Sequence, residues 1–272
     1  MANTLEFTAK NVKPFSAWLK KFASIEKSLL VEVDAENKCF IAKSYNKDKS
    51  IVKYASISFE DSGLTPKKAV DIVSIKVGIY DIARVIKSLD HFQSGDFTFT
   101  IQYAEVLDEN SKNLAGTAFL LRSTSLKMKI ETSSLKIFKN ITPEVFERIV
   151  ETNVATKFDL PSVTIEKIED LCDLDKEYKF LEVMAKDKKV FVKGKTFELD
   201  VADNGDAKAV LSIYKDQFYK VDVESYVVDL GDDKLVFRSN DTDTVTVLSM
   251  VVKDERYEEG AEDDWGISGL EK

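Results

Sequence analysis

Apolar residues fall at helical spacing in a few short stretches and alternate with polar residues through most of the rest of the chain. Leu5 and Phe7 alternate with polar neighbours, which predicts a strand over residues 5–13. Pro14 then stands where a missing N–H costs nothing, and Phe15, Trp18, Leu19, Phe22 and Ile25 form one apolar helix stripe. Strands are predicted at 28–33, 39–44 and 51–59, with a loop over 61–69 around Gly63 and Pro66. The stretch 75–78 reads as a strand leading into a helix over 80–89, whose inner face is Ile82, Val85, Ile86 and Leu89. Strands return at 97–106, 117–123 and 126–132, broken by a polar loop at 108–113.

The pattern then pauses and restarts. An extended apolar piece (Leu135, Ile137, Phe138, Ile141) precedes Thr142-Pro143-Glu144, a helix-start signature, and a short helix over 145–150. After a strand at 158–160, a helix over 163–174 turns Ile165, Ile168, Leu171 and Cys172 inward. A hairpin at 178–185 and 190–195 turns at 187–189, and strands at 197–202 and 209–213 continue the sheet. The stretch 218–252 predicts a strand ending near Val221, an amphipathic helix over 223–230, a turn at 231–233 and two strands joined at Asn240-Asp241. Each half is thus strand, helix, several strands, helix, several strands. This organisation predicts an α+β protein of two similar domains, 1–136 and 158–257, with a connector at 137–157 and an acidic tail at 258–272.

Composition adds asymmetry. The 272 residues suffice for two ordinary cores. The net charge of −9 divides into about +4 for residues 1–136 and −13 for 137–272, so the halves present different surfaces. That total argues against a simple DNA-coating protein without forbidding a local basic face. No apolar run approaches the ~18 residues of a membrane span, and MANTLEFTAK lacks a secretory layout. Cys39 and Cys172, one in each half, read as reduced thiols of a cytoplasmic protein. No membrane partner is expected.

Catalytic chemistry finds no support. One His and two Cys make a zinc site from those ligands untenable. His91 ends a predicted helix, a capping or surface position. Neither a phosphate-binding Gly-rich loop nor a nucleophile elbow occurs. Asp232-Asp233 and Asp263-Asp264 read as turn and tail charges without a second carboxylate cluster. The expectation is a protein that is not an enzyme and needs no cofactor or metal.

Four stretches carry a resemblance. FSAWLKKFASIEKSLLVEVDAENKCF (15–40), VGIYDIARVIKSL (77–89), residues 158–194 and residues 218–252 resemble successive strand–helix–hairpin steps of DNA polymerase sliding clamps, most closely the bacteriophage type. The likeness covers most of the chain and lies in arrangement and apolar spacing. It implies helices lining a central hole, antiparallel sheets outside, and a closed ring, here a homotrimer. Such a processivity factor encircles double-stranded DNA without reading its sequence, tethers a DNA polymerase and is placed by a clamp loader.

That resemblance gives roles to particular residues. Lys20, Lys21, Arg84 and Lys87, on polar helix faces of the first half, would meet phosphates, together with Lys167 in the second; as plain sequence they read equally as solvated charges. The second-half helices instead carry Glu166, Asp170, Asp173, Glu224 and Asp229. Partner peptides would dock beside the connector, where Leu135, Ile137, Phe138, Met250 and Val252 qualify by position; the same five read equally as core. Trp265, Ile267 and Leu270 follow an acidic run as a docking peptide would, or form an ordinary chain end. Three rival readings remain at the level of sequence: a monomeric or dimeric processivity factor resting on DNA, a viral structural or assembly protein with duplicated domains, and a single-stranded-DNA binder with a recruiting tail.

Overall fold

The computed structural model describes residues 3–68, 74–92, 96–108, 111–138, 141–174, 177–203 and 207–251. The first half runs β1 (Asn3–Ala9), α1 (Lys13–Ala23), β2 (Leu29–Asp34), β3 (Cys39–Tyr45), β4 (Ile51–Ser58), β5 (Leu64–Pro66), β6 (Ser74–Ile79), α2 (Ile82–Asp90), β7 (Phe97–Asp108), β8 (Ser111–Arg122) and β9 (Lys127–Glu131). A 3-10 turn at Leu135–Ile137 and the helix α3 (Pro143–Val150) make the connection. The second half runs β10 (Val154–Leu160), α4 (Ser162–Leu174), β11 (Phe180–Lys186), β12 (Lys189–Lys193), β13 (Glu198–Asp203), β14 (Ala209–Tyr214), α5 (Lys215–Phe218), β15 (Tyr226–Gly231), β16 (Lys234–Ser239) and β17 (Thr244–Ser249).

Strand pairing repeats between the halves. In the first, β1 pairs β7, β7 pairs β8 and β8 pairs β9, all antiparallel; in the second, β10 pairs β15, β15 pairs β16 and β16 pairs β17 in the same sense. Likewise β3–β2–β6 with β4 outside β3 matches β12–β11–β14 with β13 outside β12. Each half has its own apolar core. Phe7, Phe15, Trp18, Phe40 and Phe99 anchor the first, and Ile165, Ile168, Val183, Phe218 and Tyr226 the second. Antiparallel pairing of β17 with β4 joins the halves through one continuous 13-stranded sheet, while β11, β12, β13 and β14 form a separate four-stranded sheet.

Local chemistry explains most elements. Pro lies at the start of α1, whose Phe15, Trp18, Leu19 and Phe22 are buried. Asp81 caps α2 by accepting from the Arg84 N–H at 3.0 Å, and Thr142 caps α3 through the Val145 N–H. The β11–β12 hairpin turns on Asp187 and Lys188, both at positive φ, the backbone that matches the twist of a two-residue loop. Gly63 leads into β5 at φ +75°, where a Cβ would lie 1.9 Å from the Asn11 carbonyl oxygen.

Several expectations are corrected. Residues 223–230 are not a helix: β15 covers Tyr226–Gly231, and the second helix of this half is the single turn α5, one step earlier. Tyr226, Val228 and Leu230 alternate into the core, and this β-branched, aromatic segment satisfies a strand as well as a helical stripe. The loop at 108–113 is shorter than its polarity suggests, because β7 and β8 are twelve-residue strands reaching Asp108 and Ser111. The 61–69 loop contains β5, and the apolar piece after Ser134 winds into a 3-10 turn instead of extending. Leu171 is half-buried, whereas Ile165, Ile168 and Cys172 are the buried residues of α4. Cys39 and Cys172 are not bridged. Among the described residues no helix is long and apolar enough to cross a membrane.

Candidate nucleic-acid interface and partner face

The joined sheet separates two candidate surfaces. Successive residues of a strand point to opposite faces. On β4 and β17, Ile51 and Leu248 point into the second-half core, together with Lys53 and Thr246, whereas Val52 and Val247 face the connector. Helices therefore lie on one side of the joint and α3 on the other.

On the helix side, α1 packs beside α2. At the end of α4, Lys215 Nζ donates to the Cys172 carbonyl at 3.0 Å and Tyr219 Oη to Asp173 Oδ1 at 2.7 Å. The exposed stripe of α1 carries Lys13 and Lys20, and that of α2 carries Arg84 and Lys87. None of these four has an ion-pair partner among the described residues. Lys13, seven residues before Lys20 and so on the same face, was the missed member; its spacing was the available signal. Lys167 is exposed on α4, surrounded by exposed Glu166, Asp170 and Asp173. Burial and those acidic neighbours push the Glu169 carboxyl above the ordinary value, so this face is electronegative.

Lys21 stands apart from the other lysines. Its ammonium ion-pairs with Glu224, which also accepts from Ser239 and Thr242, and donates to Thr242 and Thr244 at 3.0 Å. Both side chains are about 15 % exposed. Burial alone would raise the Glu224 carboxyl, but Lys21 and the two hydroxyls outweigh it and hold the pKa below the usual range. Beside this pair, Lys53 is fully buried and bonds Asp222 Oδ2 at 2.9 Å and the Lys220 carbonyl at 2.7 Å. The loop after α5 is thereby strapped to α1 and β4. Glu224 thus lies in a loop at the joint, not on a DNA-facing helix. Asp229 is 5 % exposed on β15, 3.2 Å from Lys157 Nζ and 3.4 Å from Arg238 Nε.

On the connector side, the position-based candidates do not come together. Phe138 lies on β6, where a Cβ on Gly78 would be 2.4 Å from its ring. Ile137 is 59 % exposed and Leu135 half-buried. Met250, 42 % exposed, is fixed by its N–H donating to the Asp233 carbonyl at 2.7 Å. Val252, Trp265, Ile267 and Leu270 lie outside the described residues. The apolar cluster beside the connector is built instead on Val52, Val236, Val247 and Ile141, against which Phe146, Ile149 and Val150 of α3 pack. Next to it a small cleft is lined by Leu30, Glu32, Ile41, Lys43, Lys76 and Ile141. No group of three or more potential metal-ligating side chains occurs among the described residues.

No protein-family profile and no curated protein matches the chain. Solved structures do. The PCNA of A. fulgidus, bound to the C-terminal region of FEN-1, is similar at a TM-score of 0.62 and 9 % identity, over 92 % of this chain and 99 % of that one. The proliferating cellular nuclear antigen of Entamoeba histolytica is similar at 0.63 and 12 % identity, over 93 % and 100 %. The Helicobacter pylori beta clamp bound to a DNA ligase peptide is similar at 0.63 and 9 % identity, over 93 % of this chain and 67 % of that one. At such identities the likeness lies in architecture alone, and that architecture is the α+β sliding-clamp fold.

Proposed function

We propose that this chain is a DNA sliding clamp, a non-catalytic processivity factor of the bacteriophage type whose three copies close into a ring around duplex DNA. One observation carries the reading. Inside the chain β4 pairs with β17, and their counterparts in the other halves, β13 and β9, each pair on one side only among the described residues. The joint that fuses two halves of one chain can therefore be repeated between chains, head to tail, with β9 of one copy against β13 of the next. Such a heterologous contact closes when the rotation per copy is right, and it covers both exposed edges.

Within that ring Lys13, Lys20, Arg84 and Lys87 meet phosphates without reading bases, and Lys167 contributes one cation amid acids. Sparse contacts of this kind hold DNA loosely enough to slide. A polymerase held on the ring rebinds its template at high local concentration. By analogy with the FEN-1 and ligase peptides of the similar structures, partner segments of the polymerase and loader would dock on the connector side, with Trp265, Ile267 and Leu270 of the tail as a second candidate contact. The decisive experiment measures mass and processivity together. Sedimentation equilibrium is expected near three times the 30.7 kDa chain mass, with longer products from the cognate polymerase on primed circular DNA. A trimer without stimulation overturns the polymerase role.

The acidic face of α4 favours one second reading: a monomer or dimer that rests on DNA through α1 and α2. A mass of one or two chains, with stimulation retained, would establish it.

A further inference from the structure

The apolar groove on the connector side already has an occupant. Its floor is Val52, Val236 and Val247, each at most 5 % exposed, contributed by the strands that join the two halves. Over it lie Phe146, Ile149 and Val150 of α3, at positions i, i+3 and i+4, with the Phe146 ring 5.4 Å from that of Tyr54. Although it covers a buried floor, α3 has no buried residue of its own. Eight residues are too few for a helix to persist in water without docking.

A lysine stands at each end. Lys43 Nζ donates to the Ile141 carbonyl at 3.2 Å, ahead of the helix. Lys234 Nζ donates to the carbonyls of Ile149 and Glu151 at 3.2 and 2.9 Å, where the helix ends. Beside these backbone oxygens each cation has an acidic neighbour, Glu144 of α3 itself near Lys43 and Asp233 at 3.5 Å from Lys234 Nζ, so acidic residues at the helix ends suit both lysines.

We infer that α3 is a displaceable cis-occupant of a helix-docking groove, and that a partner segment of like chemistry replaces it: an amphipathic helix bearing an aromatic residue followed by aliphatics three and four residues on, with acidic ends for Lys43 and Lys234. This rests on the connector side being the partner face. Competition with α3 lowers the apparent affinity of any partner by the fraction of time the groove is open. A partner that binds must therefore release the connector, coupling occupancy to the link between the halves.

The test uses a probe copied from the chain itself, a fluorescent peptide of residues 141–151 (ITPEVFERIVE), titrated by polarisation into the full-length protein. Expected is saturable binding to the variant Phe146→Ser/Ile149→Ser/Val150→Ser, at least about tenfold tighter than to the unaltered protein, and none for a peptide carrying Phe146→Ser. Absence of binding to a variant that retains its far-UV spectrum and melting transition overturns the inference, as does equal binding to both proteins. Binding that appears only after removal of residues 258–272 identifies the tail as occupant and also overturns it. Should the triple variant not fold, amide exchange on the unaltered protein decides: α3 amides exchanging at least about 100-fold faster than those of β4 and β17 support the inference, and equal protection refutes it. A ring that fails to form while the peptide still binds would end the clamp proposal and leave the groove standing.

Discussion

Lys53 Nζ, completely buried, lies 2.9 Å from Asp222 Oδ2, and this bond crosses from the first half of the chain to the second. The second ligand of the ammonium is the Lys220 carbonyl at 2.7 Å, so both of its contacts belong to the loop after α5. Burial pulls the pKa of Lys53 down, with Asp222 opposing that shift. Asp222 is the main support of the ammonium's charge, with Glu224 adding to it and Lys21 opposing it.

Removing that carboxylate is expected to cost more than removing the ammonium. Asp222→Asn leaves a buried cation without its counter-charge, at about 3–5 kcal/mol. Lys53→Met deletes the buried charge, and Asp222, 23 % exposed, keeps water and the Lys21 ammonium at 3.9 Å, so the cost falls below that range. Urea unfolding midpoints of the two variants check the order; a reversed order would show that Asp222 is held chiefly by other groups.

The neighbouring pair gives a pH dependence. Glu224 has a folded pKa below its unfolded value of about 4.5. Its contribution to stability is therefore complete above that unfolded value and is lost as pH falls through the folded one. Glu224→Gln abolishes this contribution. The stability gap between the unaltered protein and this variant is expected to be constant from about pH 6 to 8 and to shrink below about pH 4, as read from urea midpoints across that range.

These two pairs also mark where sequence reasoning stops. The stripes Phe15–Trp18–Leu19–Phe22 and Ile82–Val85–Ile86–Leu89 are long, strongly periodic and bounded by Pro14 and Asp81, so α1 and α2 were legible with their solvent faces. Lys21 lies on the edge of such a face, and its fate is set by a loop 200 residues away. Nothing local announces that Glu224 will meet it, and the reading of 223–230 as a helix placed Glu224 elsewhere. The same residues show why: Val223, Tyr226, Val227 and Leu230 are spaced as a helix stripe, while Tyr226, Val228 and Leu230 are spaced as a strand. Tertiary pairing with β10 and β16 decides between them. The apolar cluster beneath α3 was missed for a related reason, because Val52, Val236 and Val247 converge only through pairing of β4, β17 and β16.

The start of the connector depends on a missing side chain. A Cβ at Gly78 would fall 2.4 Å from the Phe138 ring and 2.7 Å from the Ser133 carbonyl oxygen, and Ser133 N–H donates to Gly78 O at 2.8 Å. Gly78→Ala is expected to destabilise the protein by about 1–3 kcal/mol through overpacking. Phe138→Ala in the same chain should recover part of that loss, because the ring is one of the two groups displaced. Thermal unfolding of the single and double variants measures the coupling, and additive losses would show that the backbone contact alone resists the methyl group.

The basic stripe makes a graded prediction about DNA. Each phosphate contact removed lowers the slope of log K against log salt by about 0.9 on duplex DNA. Lys20→Gln, Arg84→Gln and Lys87→Gln are each expected to lower it by up to that amount, and Lys13→Gln likewise. Lys21→Gln should leave the slope unchanged and lower stability instead, since its ammonium is committed to Glu224. Salt titrations of the binding of a fluorescent duplex separate the two classes. A uniform loss across all five would mean that net charge alone governs binding.

Ring closure can be tested on an edge strand. In β13 the register shifts between Asp200, opposite Phe191, and Ala202, opposite Val190, leaving Val201 as the bulged residue with no opposite on β12. Proline is tolerated in edge strands and at bulges. Val201→Pro should therefore keep β13 paired with β12 on either side of the bulge, at some cost from the lost packing of Val201 on the second-half core, while placing a ring without an N–H in the strand that β9 of a neighbour would pair. On the clamp reading the mass drops from about three chains to one, the far-UV spectrum is retained, and polymerase stimulation disappears with the trimer. The counterpart change inside the chain behaves differently: Val52 pairs with Val247 across the β4–β17 joint, so Val52→Pro breaks an existing ladder and is expected to unfold the junction, not merely dissociate copies. If Val201→Pro leaves the mass at three chains, β13 is not the closing edge and the repeat of the internal joint is not what assembles the ring.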